Sequence, residues 1–436
     1  MNLKLEGKSL PRDFFRFILP SIAAQWVFAL YQIVDGIFVA RGVSETALTA
    51  VNISLPFVNV MFSISILLAT GNSTIVAIKL GQGKQKEASE IFTQNIVLNI
   101  FLSLVIAILV LLFLEPFARF LGATDLILPY ARDYIGTIAP FAFAYILSYS
   151  FETLIKTDGY PKLATLIVTA GALLNCILDY VFVFLFHWGV KGAAFATGLS
   201  QAIVILFYLM HFLGKHATIR FCKFKFQPKI IWRQIRNGLS SGISEVSNGI
   251  IIFLFNLSIL RFIGEGALVS YTIISYINTL VTMSLIGIAQ GVQPLISYYL
   301  GKQETAKYKK LLKYSIFAGI GFSVLSTAFC YIGSGEIVSL FLGSTESALA
   351  SYSIRTFRIF ALSFLIAGFN IIIAGYFTAI ERATEATLLS LIRGIIAIAG
   401  ALFVLTLFFG GEGIWWAPLL SETICFILTV FFLKKI

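Results

Sequence analysis

Ile96-Val97-Leu98-Asn99-Ile100-Phe101-Leu102-Ser103-Leu104-Val105-Ile106-Ala107-Ile108-Leu109-Val110-Leu111-Leu112-Phe113-Leu114 runs for nineteen residues without a charge. A membrane-spanning helix needs about 20 mainly apolar residues. A membrane β-strand would show about ten residues of strict alternation, which this run lacks. In lipid, every backbone N–H and C=O must be satisfied within the segment itself, so the run reads as a spanning helix. Runs of the same kind recur near 14–40, 47–79, 91–114, 129–155, 162–186, 191–213, 236–263, 267–300, 311–333, 349–379, 386–409 and 414–433. They predict an all-α membrane protein with twelve transmembrane helices. Several exceed the length needed to cross, which implies tilt or extension beyond the bilayer.

Composition agrees. The chain has 436 residues, 58% hydrophobic and only 12% charged, whereas a soluble domain carries about 25% charged residues. The net charge of +11 does not point to nucleic acid, because the basic residues sit in short gaps between apolar runs, as in the cytoplasmic loops of membrane proteins. Cys176, Cys222, Cys330 and Cys425 are too scattered for a disulfide framework or metal spacing. His187, His211 and His216 form no ligand pair, and no nucleophile–base pair stands out, so an enzyme is not expected. No G-x-x-x-x-G-K-[ST] loop is present, which argues against ATP-driven transport by this chain. Lys4, Lys8, Arg12 and Arg16 precede the first apolar run. That run is too long for a signal peptide and lacks a cleavage site, so it reads as a retained helix.

Loop charge gives an orientation. With the N-terminus inside, about 24 Lys and Arg fall on the inner side and about 7 outside. Both termini are then expected in the cytoplasm of a multi-pass plasma-membrane protein. The largest basic cluster, from Lys215 through Arg220, Lys223, Lys225, Lys229 and Arg233 to Arg236, reads as a long central loop.

The halves resemble one another. Ala47-Leu48 matches Ala267-Leu268, Gly71 matches Gly291, and Leu80-Gly81 matches Leu300-Gly301, while Leu199-Ser200-Gln201 aligns with Leu420-Ser421-Glu422. Six spans per half is an even number, so both halves start on the same side and form a parallel repeat. The expected architecture is two six-helix lobes, residues 1–220 and 221–436, related by an axis along the membrane normal. Transporters that rock two bundles around a central site are built this way.

Carboxylates inside the bilayer cost roughly 2.5–3.5 kcal/mol on insertion scales, so they are functional candidates by default. Three stand out: Asp35, Asp179 and Glu245. Asn175 and Asp179 are four residues apart and share a helix face; Thr197 lies in the next span. These oxygens suit a hard cation such as sodium. A carboxylate withdrawn from water is also easier to protonate, so the set supports either a proton or sodium. A helix-capping role for Asp35 and Asp179, and interfacial positions for Glu245 and Glu422, stay open at this point. Gln290 and Gln293, with Asn256 and Asn278, suit hydrogen bonds between helices. Pro20, Pro56, Pro140 and Pro294 are expected to bend their helices.

Taken together, these stretches resemble a known family. Asp35-Gly36-Ile37-Phe38-Val39-Ala40 with Ala47-Leu48-Thr49-Ala50-Val51 and Pro56 resembles the first hairpin of the MATE (multidrug and toxic compound extrusion) proteins. Thr157-Asp158-Gly159-Tyr160-Pro161-Lys162, Asn175 to Asp179, and Gly189-Val190-Lys191-Gly192-Ala193-Ala194 with Ala196-Thr197 resemble their later N-terminal stretches. Gly287-Ile288-Ala289-Gln290-Gly291-Val292-Gln293-Pro294 resembles the eighth span of the bacterial multidrug subgroup. The resemblance covers nearly the whole chain. It implies a V-shaped pair of six-helix lobes and antiport of small organic, often cationic, compounds against protons or sodium, by a single chain without a cofactor. It assigns coupling of the ion to Asp35, Asn175, Asp179 and Thr197, with Tyr134 beside them. Glu245, which lies close to a glutamate that some members use in span seven, Gln290 and Gln293 are kept with Tyr134 as secondary candidates. The chain departs from the family in having Gly71-Asn72-Ser73 where paired glycines are common. A lipid-linked sugar flippase shares the architecture and is the alternative; it would want more cations facing the cavity.

Overall fold

A computed structural model describes residues 7, 9–343 and 347–435. Lys4 and Lys8 lie outside them. The described chain is helical almost throughout, and its spans are α1 (Leu10–Gly42), α2 (Glu45–Gly81), α3 (Gln85–Leu112), α4 (Leu128–Thr157), α5 (Pro161–Leu185), α6 (Gly189–Leu213), α7 (Pro228–Phe262), α8 (Gly266–Gly301), α9 (Thr305–Ile332), α10 (348–379), α11 (383–409) and α12 (Gly413–Leu433). Between α11 and α12 the chain stays helical from 383 to 433 apart from a short turn. As one helix this stretch would be roughly 75 Å long, more than twice the hydrocarbon thickness. Gly410, at a φ of 58°, breaks it and folds α12 back against α11. Twelve spans result among the described residues. Side chains such as Phe101, Leu112, Phe317 and Phe408 stand exposed on the outer helix faces, which only lipid would cover.

The repeat is visible in the packing. In the first half α1 packs on α5, α2 on α4, and α4 and α5 on α6; in the second α7 packs on α11, α8 on α10, and α10 and α11 on α12. Irregularities repeat as well. A 3-10 turn at Ala139–Phe141 interrupts α4, and a 40° bend between Ala361 and Phe364 interrupts α10 at the matching place. Pro140 accounts for the first, but no proline stands at the second. The helices run unbroken through Pro20, Pro56 and Pro294. A proline is therefore neither sufficient nor required to interrupt one of these helices.

The lobes meet at the end that carries both described termini and the basic loops. Here α2 crosses α7, and α8 crosses α1. A Cβ on Gly71 would come within 2.0 Å of the Gln234 carbonyl, and one on Gly238 within 1.8 Å of the Leu67 carbonyl. Gly81 and Gly301 face each other across the axis: their Cβ atoms would meet the carbonyls of Tyr298 and Ile78 at 2.0 and 2.1 Å. Only glycine permits such backbone approach. Gln234 Nε2 donates to Asn72 Oδ1 at 2.8 Å, and Gln293 Nε2 to Thr74 Oγ1 at 2.8 Å, which adds polar ties to the seam.

The central connection differs from the loop expected of it. Helix α7 begins at Pro228, not near 236, so Lys229, Arg233 and Arg236 are helical. Arg233 makes a two-pronged pair with Glu381, its Nε and Nη2 lying 2.6 and 2.5 Å from the carboxylate oxygens. The helix simply extends past the bilayer, where charge costs nothing. Residues 214–227 are not helical, turning at 215–216 and then running without regular structure from 220, and they are bound to the first lobe. The Asp158 carboxylate accepts from the backbone N–H groups of Thr218 and Ile219, and Gln94 exchanges two hydrogen bonds with the Gln227 backbone.

Candidate functional site

Past the glycine seam the two lobes diverge around a cavity of about 570 Å³. Its wall reaches along α1 to Val39 and along α2 to Leu48, close to the ends of those helices at the non-basic face. The cavity is therefore closed at the basic end and extends toward the other. Its floor is polar: Gln25 Nε2 donates to Gln290 Oε1 at 2.9 Å, and Gln290 Nε2 donates to the Tyr149 hydroxyl at 2.9 Å. Gln290 and Gln293 thus act as ties between the lobes, and both also lie in the cavity wall.

The first lobe brings Asp35, Asn175, Asp179 and Thr197 together. Asp35 is seven residues before the end of α1, roughly 10 Å inside it, and faces Asp179 and Thr197. It is not a terminal cap. Asn175 and Asp179 are four apart on α5 and share a face as the spacing predicts. Asp179 is the last α-helical residue before a π-helical turn, Tyr180–Leu185. Asp179 is 0% exposed and Asn175 1%, whereas Asp35 and Thr197 reach the cavity wall. Thr197 donates to the Ala193 carbonyl at 3.0 Å and accepts from Asn175 Nδ2 at 3.4 Å. Neither bond reaches Asp35 or Asp179. Asp35 Oδ1, Asn175 Oδ1 and both carboxylate oxygens of Asp179 are buried with no hydrogen-bond partner. Buried acceptors left bare are costly. A proton shared between the two carboxylates, or a small cation among the four oxygens, would remove that cost. Among the described residues no three His, Cys, Asp or Glu side chains converge, so the donor set is two carboxylates with neutral oxygens.

Tyr134 from α4 borders this cluster and is buried. Tyr31, which the sequence does not single out, lies beside Thr197 and lines the cavity. Its one signal is its position four residues before Asp35, on the same helix face.

The second lobe is different. Glu245 lies in the cavity wall, not at the interface: because α7 starts early, it sits seventeen residues in, roughly 25 Å from the helix start. It is near Tyr149, outside the group around Asp35. Arg393 of α11 and Glu422 of α12 form an ion pair at 2.8 Å. Asn370 Nδ2 donates to Glu422 Oε2 at 2.7 Å and to the Glu422 carbonyl at 2.9 Å. Glu152, also in the wall, is paired with Lys156 at 2.6 Å.

Twelve helices in two matched lobes, around a cavity closed at one end and bordered by unsatisfied carboxylates, have the build of a carrier. The MatE family model matches the chain twice, at residues 20–181 and 242–403, and the chain belongs to that family. The two matches are each other's repeat, one per lobe. The Multidrug export protein MepA of Staphylococcus haemolyticus is 26% identical over 431 residues, covering 98% of this chain and 94% of that protein. A structure described as the outward-facing conformation of a multidrug resistance MATE family transporter of the MOP superfamily superposes with a TM-score of 0.92 at 22% identity, covering 99% of this chain and 96% of that one. A MOP superfamily transporter from Pyrococcus furiosus, whose pocket of reverse polarity suggests a different function, superposes at 0.88 with 21% identity, covering 99% and 97%.

Proposed function

We propose that this chain exports small organic compounds, often cationic, in exchange for protons or sodium ions by alternating access, as a single chain in the plasma membrane. The observation that carries the reading is the set of four bare oxygens on Asp35, Asn175 and Asp179 beside the cavity between the lobes. Such a site demands a positive ion, and it adjoins the space a substrate would occupy. The multidrug export named for the Staphylococcus relative supports the substrate class. The fold alone does not, since the Pyrococcus structure shares it with a suggested different function.

The basic end faces the cytoplasm by the positive-inside rule, so both termini are cytoplasmic and the cavity extends outward. In this state the ion enters from outside and the substrate leaves. Coupling requires that the ion favour one state over the other. One monovalent ion gains about 2.3 kcal/mol per 100 mV and about 1.4 kcal/mol per tenfold gradient. A neutral compound exchanged for one ion can be driven by both contributions, and a monocation by the concentration gradient alone. The lobes move as units divided in the central connection. The repeat in the sequence puts the boundary at 220/221; the bonds that bind residues 218–227 to the first lobe favour a hinge at Gln227–Pro228.

A flippase for lipid-linked sugars would need several cations free to meet phosphate. Among the described residues Arg393 is the single cation in the cavity wall, and it is paired. The test of export is movement of a fluorescent organic cation into or out of liposomes holding the purified protein, under an imposed pH gradient and then a sodium gradient. Gradient-driven movement that disappears in Asp179→Asn supports the reading and names the ion. No driven movement across cationic and neutral dyes overturns it.

A further inference from the structure

The cavity wall of the second lobe holds a charge that export of a simple cation leaves unused. Arg393 sits in a π-helical turn, Ile392–Ile396, of α11. Such turns break the regular facing of a helix and often occur at functional sites. Its neighbour Gly394 backs directly onto α7, where a Cβ would lie 2.4 Å from Ser247 Oγ. The backbone is therefore pressed against α7 while Arg393 lines the cavity. Arg393 Nε donates to Glu422 Oε1 at 2.8 Å. The other Glu422 oxygen is taken by Asn370, whose Oδ1 in turn accepts from the Thr429 hydroxyl at 3.2 Å. Glu422 is thus fully engaged by its neighbours. The guanidinium is not: among the described residues neither Nη has a hydrogen-bond partner, and neither is sealed from the cavity.

We propose that the Nη fork of Arg393 is the binding site for the carboxylate of zwitterionic substrates, so that the cavity takes compounds bearing both an ammonium and an acid group. The guanidinium fork matches a carboxylate with two parallel N–H···O bonds. The ammonium end has acidic partners in the same wall, Asp35 from the first lobe and Glu245 from the second. A cavity of about 570 Å³ is of the size that holds drug-sized ligands. Asn370 and Glu422 act as positioning residues that hold the guanidinium plane. The inference rests on the export reading and adds to it a carboxylate subsite in the second lobe.

The experiment uses a rhodamine with a free carboxylate and its methyl ester, both cationic in the ring system, with the full chain in liposomes and in detergent. The readout is the ratio of KM for the acid to KM for the ester, which cancels any general loss of folded protein. The double variant Arg393→Gln/Glu422→Gln removes both charges and keeps amide hydrogen bonds; it raises the ratio about tenfold, as expected for a lost charge-assisted bond. Glu422→Gln alone frees the guanidinium from its partner and lowers the ratio. An unchanged ratio in both variants, with the ester still transported, overturns the proposal and leaves export standing. If wild-type protein moves neither dye, export fails; the dissociation constants of acid and ester in detergent then decide Arg393, with the same ratio change expected and an unchanged ratio overturning it.

Discussion

The two lobes are copies of one six-helix unit, yet they meet the cavity with opposite chemistry. In the first, α5 carries Asp179 against Asp35, and the oxygens around them have no donors. In the second, α11 carries Arg393, and its carboxylate partner Glu422 has both oxygens bonded. A bare carboxylate pair changes state when a cation arrives. A carboxylate with both oxygens bonded has little reason to. Duplication supplied the frame twice, and side-chain pairing made one copy a candidate for ion exchange and the other a fixed wall.

The sharpest way to break that contrast is to neutralise each side. Asp179→Asn should reduce gradient-driven dye transport by about a hundredfold or more while substrate binding in detergent changes little, because Asp35 alone no longer forms the carboxylate pair that the proposed ion would have to bind differently in the two states. Glu422→Gln should leave driven transport of a cationic dye within severalfold. Equal losses in the two variants would mean that the lobes share the coupling role.

The glycine seam offers a comparison in which the lobes should behave alike. Gly81→Ala and Gly301→Ala each place a methyl about 2 Å from a carbonyl of the other lobe. Backbone cannot yield there as a flexible side chain would, so both variants should weaken closure at the basic end. A cysteine introduced at Gln293, in protein whose Cys176, Cys222, Cys330 and Cys425 are replaced by alanine, reports this as faster labelling by a membrane-impermeant thiol reagent from that side than in the same protein with both glycines intact. Increases of about tenfold in both variants would support a symmetric seal; an effect in one alone would show that the axis is not functionally equivalent on its two sides.

Much of this architecture is legible in the order of the residues. Long uncharged runs require helices because lipid offers the backbone no partners, and a nearly constant offset between halves exposes the repeat. The four-residue spacing of Asn175 and Asp179 puts them on one face. What stays hidden depends on contacts between distant residues. Arg393 and Glu422 are 29 residues apart in the chain, and no local pattern says that a buried base and acid will meet. Helix α7 reads eight residues too short because its first two turns, rich in Lys and Arg, lie outside lipid and resemble a loop. The same shortening moves Glu245 toward the interface. Tyr31 escapes notice because a tyrosine on an apolar face resembles ordinary packing.

Stability should separate the two charge pairs more gently than transport does. Arg393→Gln leaves Glu422 without its cation, and breaking a buried pair from one side costs up to about 3–5 kcal/mol. Here the loss should fall at or below the low end, about 2–3 kcal/mol, because Arg393 borders the cavity and Asn370 still bonds Glu422. The double variant Arg393→Gln/Glu422→Gln should recover most of it in thermal unfolding followed in detergent. The smallest effect belongs to Arg355 and Glu412, which pair at the exposed non-basic end. Their separation by Arg355→Ala should cost no more than about 0.5 kcal/mol, since water and salt screen an exposed pair. If that surface change destabilised the protein as much as Arg393→Gln does, burial would not be what distinguishes the pair in the cavity wall, and the fixed-wall account of the second lobe would lose its energetic basis.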